Sequence, residues 1–124
     1  MNLRNFRHEA RDDYLEAILL ITRSKGYCRA INIANELGVT KPSVSVAVAK
    51  LQEDGLITLD EEKLIRFTEL GRDLAELTYA KHCYFRDLLL SAGVDEATAE
   101  KEACAMEHAI SGESFRKIQE RYPL

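Results

Sequence analysis

The sequence predicts a mainly α-helical chain with one small β-hairpin, and three features predict it. Apolar residues recur at helical spacing along most of the 124 residues. Glycines and helix-capping residues cut that pattern into discrete helices. Two short apolar-rich runs, Leu56–Leu59 and Leu64–Phe67, flank the polar, turn-like Asp60–Lys63 and read as a hairpin.

Taken in order, the first helix runs from about Glu9 to Arg23, with Tyr14, Leu15, Ile18, Leu19 and Ile21 at helical spacing, and Gly26 stops it. A short helical segment, Ala30–Leu37, follows. Gly38 can take the positive φ of a tight turn. Thr40 reads as the N-cap of the next helix, and Pro42 sits in its first turn, where a missing N–H costs nothing. That helix extends to about Asp54 with Val44, Val48 and Leu51 inward, and Gly55 ends it. After the hairpin, Thr68 opens a long helix to about Ala92. Asp95 caps another through about Ile110, and Ala105, Met106, Ala109 and Ile110 give it an apolar side that so short a chain cannot fully cover, so a second subunit is expected to complete it. Ser111 and Gly112 break the pattern before a last short helix, Glu113–Arg121. The order predicts a winged helix-turn-helix in residues 1–70 and a helical dimerisation domain in residues 71–124.

Net charge is −4, which argues against a general polyanion binder. Residues 1–50 hold eight Lys/Arg against five Asp/Glu, leaving +3 there and −7 in the remainder. A basic front and an acidic back fit a chain that meets nucleic acid at one end, although ordinary scatter of surface charge fits as well. The three cysteines, Cys28, Cys83 and Cys104, have no spacing of a disulfide framework or zinc knuckle. The first 21 residues break their apolar run with acids and show no cleavage site, so neither a signal peptide nor a membrane span is expected. A reduced, cytoplasmic protein is expected.

Helix, glycine turn, helix and hairpin is the order of a DNA-binding module. The second helix of the pair opens with Thr40, Lys41, Pro42 and Ser43 and continues with Ser45: short side chains able to enter a major groove. Arg29, Lys41 and Lys50 are candidate phosphate contacts. Singly, Thr40 is a cap and the serines are solvated polar residues. As an ordered set ending in a hairpin they read as a DNA-binding face. The helix has no Arg, Asn or Gln before Gln52, so methyl contacts from Pro42, Val46 or Ser43, water and DNA shape would carry discrimination.

The second half carries ligand types at helical spacing. Cys104, Glu107 and His108 fall at i, i+3 and i+4, one face of one helix. Asp13 and Glu16 are i and i+3 on the first helix, and His82 lies within the long helix. Carboxylates and imidazoles with one sulfur suit Mn(II), Fe(II), Co(II), Ni(II) or Zn(II). An isolated Glu-His pair is usually solvated and a lone Cys is usually core, so this signal strengthens only if separate helices converge. A hydrolytic metalloenzyme is disfavoured, because Glu107 and His108 are adjacent rather than in an H-E-x-x-H arrangement and no nucleophile–base pair accompanies them.

Three stretches carry a family resemblance: DDYLEAILLI with KGYCRAINIANELGVTKPSVSVAVAKLQEDGLI, then FTELGRDLAELTYAKH, then GVDEATAEKEACAMEHAIS. The chain resembles the diphtheria toxin repressor and manganese transport regulator family of metal-dependent repressors from about Arg11 to Ser111. The resemblance implies that Asp13 and Glu16 are first-helix ligands of the manganese-type branch. It implies that His82 is the long-helix ligand, that Glu107 and His108 are the ligand pair of the dimerisation helix, and that Cys104 stands where members carry Glu or Cys. One dominant ion per subunit is expected on Asp13, Cys104, Glu107 and His108, with Glu16 and His82 near a weaker second ion. Two positions depart from the iron-type ancillary site: Arg86 replaces its Glu, and Glu100 replaces its His. The sequence stops at Leu124, so the C-terminal SH3-like domain of longer members is not expected.

The expectation is therefore a homodimeric repressor of metal-uptake genes that binds double-stranded operator DNA when Mn(II) or Fe(II) is bound, with Co(II), Ni(II) or Zn(II) able to substitute in vitro. No membrane partner, small-molecule substrate or enzymatic activity is expected. The rival is a metal-independent winged-helix regulator whose acids are plain surface.

Overall fold

A computed structural model describes residues 3–124, with side chains from Ala10 onward. Met1 and Asn2, included in the first expected domain, lie outside the described residues, as do the side chains of Arg4, Arg7 and Glu9 in the basic front. The chain divides into two compact units, one ending at Glu76 and one covering Leu77–Leu124.

The first unit holds α1 (Leu3–Lys25), α2 (Ala30–Leu37), α3 (Lys41–Glu53), β1 (Ile57–Leu59), β2 (Ile65–Phe67) and the opening turns of α4 (Glu69–Ser91). The inner face of α1 buries Leu15, Ile18, Leu19 and Ile21, and this helix contacts α2 and α3. Between α2 and α3, Gly38 takes φ 66°, the left-handed conformation that only glycine adopts freely. Asn32 helps open α2 by accepting the Arg29 backbone N–H at 2.9 Å. Thr40 caps α3, its hydroxyl accepting the Ser43 N–H at 3.2 Å, with Pro42 in the first turn. Val44, Val48 and Leu51 recur on the buried face of α3 as their spacing predicts.

The two strands pair antiparallel, Ile57 with Phe67 and Leu59 with Ile65. They are shorter than the sequence runs because Leu56 and Leu64 are spent on the bends leading in. The Asp60 carboxylate accepts the N–H groups of Glu62 and Leu64, which closes the turn and holds its pKa below the ordinary carboxylate value. Ile65 donates its N–H to the Cys28 carbonyl at 2.8 Å, tying the hairpin to the segment before α2. Cys28 is fully buried there, and burial pushes its thiol up to about 11.

The second unit holds the rest of α4, α5 (Glu96–Glu107) and α6 (Gly112–Arg121). Asp95 caps α5 by accepting the Thr98 N–H, and Ser111 caps α6 by accepting the Ser114 N–H. Tyr84, Phe85 and Phe115 form its aromatic core, with Tyr84 edge-on to both of the others at 5.4 and 5.6 Å. Tyr84 donates its hydroxyl to the Tyr122 carbonyl, fastening the chain beyond α6.

Three details differ from the sequence reading. α5 ends at Glu107 rather than near Ile110: the Ala109 N–H bonds back to Met106, and residues 108–110 form a tight turn that frees Ser111 to cap the next helix. Gly112 does not break α6 but is its first residue. Met106 and Ile110, expected on an outward apolar face with Ala105 and Ala109, instead pack against the aromatic core of their own unit and leave the two alanines exposed. Among the described residues, no helix is long and apolar enough to cross a membrane.

Candidate metal centre and nucleic-acid interface

In the second unit the candidate ligands gather round one residue. Glu107, in the last turn of α5, is 2% exposed. Its Oε2 lies 3.2 Å from Nδ1 of His82 on α4, and its Oε1 lies 3.5 Å from Nε2 of His108, the C-cap of α5. Cys104, one turn earlier, is exposed, yet its Sγ lies within 4.8 Å of the facing atoms of Glu107 and His108. Glu107 is therefore shared by two groups, one with Cys104 and His108 from its own helix end and one with His82 of α4.

The spacing has a chemical meaning. Two nitrogen or oxygen ligands held roughly 2.1 Å from one ion at right or tetrahedral angles stand roughly 3.0–3.4 Å apart. The Glu107–His82 separation of 3.2 Å falls in that range, and the Glu107–His108 separation of 3.5 Å lies just above it. Nδ1 of His82 is buried and makes no hydrogen bond, although Glu107 is 3.2 Å away. Its other nitrogen is committed: Nε2 and Glu100 Oε2 lie 2.8 Å apart. A carboxylate only accepts, so Nε2 carries a proton toward Glu100, and in the neutral ring Nδ1 is the nitrogen that keeps a lone pair. A buried carboxylate within 3.2 Å of an imidazole nitrogen, with a second imidazole and a thiol nearby, is a donor set that fits one of the transition metals.

Glu100 itself is held from two sides, with Oε2 on His82 and Oε1 3.4 Å from Nη1 of Arg86. Burial works against its charge, but the His82 hydrogen bond and charge, with those of Arg86, outweigh it and keep its pKa below the ordinary value. The sequence offered Arg86 and Glu100 only as departures from a pattern. Nothing in their spacing signalled that they form a pair on His82.

Asp13 and Glu16 belong to the first unit, where they stand one turn apart on α1 and half-buried.

The nucleic-acid candidates all lie in the first unit. Thr40, Lys41, Pro42, Ser43 and Ser45 are exposed together along the N-terminal half of α3. Val46 beside them is 72% exposed, an apolar side chain with no packing role in its own unit. Lys50 is exposed and pairs at 3.4 Å with Asp54. Arg29 is partly committed, donating from Nη1 to the Glu62 carbonyl at 2.7 Å and so bracing the hairpin turn. Arg29, Ser45, Gln52 and Lys63 line one open cleft between α2, α3 and the hairpin. Lys63 was not singled out by sequence. It stands in the turn with φ 63°, a conformation unusual outside glycine. The Asp60–Lys63 turn signal contained it, but nothing there separated a contact residue from a turn residue.

The arrangement is that of a DNA-binding winged helix followed by a helical metal-binding unit. The chain belongs to the iron dependent repressor family of metal-dependent transcriptional regulators: residues 8–64 match its N-terminal DNA binding domain and residues 68–122 its metal binding and dimerisation domain. It is 33% identical over 109 residues to the transcriptional regulator MntR of Escherichia coli O6:H1, covering 88% of this chain and 70% of that one. It is 31% identical to the HTH-type transcriptional regulator MntR of Lysinibacillus sphaericus, covering 86% and 77%. Among solved structures, it resembles T. acidophilum IdeR with TM-score 0.73 and 27% identity, and the manganese regulator SloR with TM-score 0.74 and 28% identity. Each of these two matches covers 91% of this chain but only 54% of the solved chain, so the chain spans about half the length of those structures.

Proposed function

We propose that this chain is a cytoplasmic, homodimeric repressor of metal-uptake genes that binds double-stranded operator DNA when Mn(II) or Fe(II) occupies its helical half, and that it is not an enzyme. The observation that carries the metal part is the buried His82–Glu107 pair, in which Nδ1 faces a carboxylate oxygen at 3.2 Å with no hydrogen bond joining them. The proposed ligands of the dominant ion are Asp13, Cys104, Glu107 and His108, with Glu16 and His82 beside a weaker second ion. When bound, the divalent ion supplies the positive charge that lets these carboxylates and imidazoles share one locus. With ligands drawn from both halves of the chain, a bound ion would couple Asp13 and Glu16 of the DNA-binding unit to the helical unit. In a dimer this fixes the separation of the two α3 helices near one turn of DNA, roughly 34 Å. Ligand residues therefore act through differential affinity for the DNA-competent arrangement. Thr40, Pro42, Ser43 and Ser45 would face the groove, while Arg29, Lys41 and Lys50 would face phosphates.

The test is operator binding titrated with Mn(II), Fe(II), Co(II), Ni(II) and Zn(II) and reversed with chelator. Wild type is expected to bind only with metal. Glu107→Ala and His108→Ala are expected to remain folded dimers that ignore metal. Metal responses equal to wild type in both variants refute the site, and chelator-resistant binding by wild type supports the metal-independent rival.

A further inference from the structure

Arg86, Glu100 and His82 form a chain of contacts that ends on the metal-facing nitrogen. Arg86 Nη1 stands 3.4 Å from Glu100 Oε1, and Glu100 Oε2 stands 2.8 Å from His82 Nε2. The His82 side chain is 9% exposed against 30% for Arg86 and 49% for Glu100, so two solvent-accessible groups act on one buried ring. Each carboxylate oxygen of Glu100 has one partner, and the two partners lie on the same helix, α4, one turn apart.

We propose that Glu100 and Arg86 are positioning residues: Arg86 holds the Glu100 carboxylate across α5 and α4, and Glu100 fixes His82 as the tautomer with its proton on Nε2 and its lone pair on Nδ1. The inference rests on the metal reading above for its purpose and on the metal-free geometry for its content. A neutral imidazole with no partner on Nε2 divides between two tautomers, and only one leaves the buried Nδ1 with a lone pair. A carboxylate on the outer nitrogen removes the unproductive form and raises the basicity of the inner one. Without Arg86, a half-exposed glutamate has rotamer freedom to leave the ring. With Arg86, its second oxygen is engaged, and departure breaks two charge-assisted contacts at once.

The experiment uses the full chain with 15N-labelled histidine. Long-range proton–nitrogen NMR is recorded without metal at mildly alkaline pH and again during Zn(II) titration, with Co(II) and Zn(II) affinities measured alongside. Wild type is expected to show His82 as the single Nε2–H tautomer, with Nδ1 responding to Zn(II). Glu100→Leu is expected to mix the tautomers and weaken metal binding about 10- to 100-fold. Glu100→Gln, whose amide oxygen still accepts from Nε2, is expected to keep the tautomer and stay within about threefold of wild type. Arg86→Ala is expected to fall between them and decides the matter if Glu100→Leu does not fold. A single Nε2–H tautomer and wild-type affinity in both Glu100→Leu and Arg86→Ala overturn the proposal, as does an Nδ1–H tautomer in wild type. If Zn(II) moves neither His82 nor His108 in wild type, the metal reading itself falls and takes the proposal's purpose with it. The signature differs, because the variants' tautomers are read without metal.

Discussion

Gly71, in the first turn of α4, is the position where one added carbon does the most damage. A Cβ there would lie 1.8 Å from the Leu56 carbonyl oxygen and 2.7 Å from its carbon, both backbone atoms. Relieving the overlap requires the helix start and the α3–β1 junction to part by about 1.2 Å, counting from the 3.0 Å floor of real Cβ contacts. That movement strains two hydrogen bonds that join them: Thr68 N–H to the Leu56 carbonyl at 3.1 Å and the Thr68 hydroxyl to the Gly55 carbonyl at 2.7 Å. Losing both costs about 2 kcal/mol, and forcing the backbone apart costs about 1–3 kcal/mol more. Alanine in a helix returns about 1 kcal/mol. Gly71→Ala is therefore expected to destabilise by about 2–4 kcal/mol, a fall in Tm of roughly 10 °C. Gly112→Ala is the control. Its Cβ would meet only the Leu77 Cδ2 at 3.1 Å, the mobile end of a side chain, so its effect should stay within about 1 kcal/mol of zero. Thermal unfolding followed by circular dichroism measures both. A Gly71→Ala protein that melts at or above wild type refutes the close-approach argument.

Three further outcomes are expected. On the α3 face, Lys41→Ala should weaken binding to all DNA sequences and flatten the salt dependence, whereas Val46→Ser should change sequence preference at nearly constant salt slope; binding isotherms at several salt concentrations on operator and scrambled DNA separate the two. Timed alkylation with mass spectrometry should label exposed Cys104 first and Cys28 last, because Cys28 is fully buried with its thiol raised to about 11; early Cys28 labelling in the folded protein would contradict that burial. The Asp95 carboxylate is held below its ordinary pKa by the Thr98 N–H, so its contribution is present above the ordinary carboxylate range and lost as pH falls through its lowered folded value. Asp95→Asn should accordingly blunt the acid limb of a stability–pH curve and leave the neutral region nearly unchanged.

The fold was legible wherever local chemistry and packing agreed. Thr40, Pro42 and Gly38 mark the α2–α3 turn by backbone requirements that no distant contact overrides, and the structure obeys them. The Asp60 turn is of the same kind. Legibility failed around residues 108–112, where helix periodicity continued past the true end of α5. Nothing local to Ala109 or Ile110 opposes a helix. What ends it is the demand that Ser111 cap α6 and that Ile110 reach the Tyr84–Phe115 core, a requirement set by residues far along the chain. The same demand turns Met106 and Ile110 partly onto the aromatic core of their own unit, since a helix wheel shows which residues share a face but not which neighbour that face meets.

The site divides along a similar line. Spacing alone places Cys104, Glu107 and His108 together, because i, i+3 and i+4 share a face whatever else the chain does. It supplies His82 as a ligand type but cannot say which ring nitrogen is available, and that choice decides whether the residue can serve. The choice is made by Glu100, on another helix, and Glu100 is held by Arg86, one turn from His82 itself. A departure from a family pattern at two positions thus turns out to be one coupled change: each residue is intelligible only with the other, and both act on a third. Single-residue reasoning scores Arg86 and Glu100 as two losses of potential ligands. Geometry makes them one charge pair that keeps a third ligand in its working form, and so predicts that Arg86→Ala and Glu100→Leu should be non-additive, with the double variant little worse than Glu100→Leu alone.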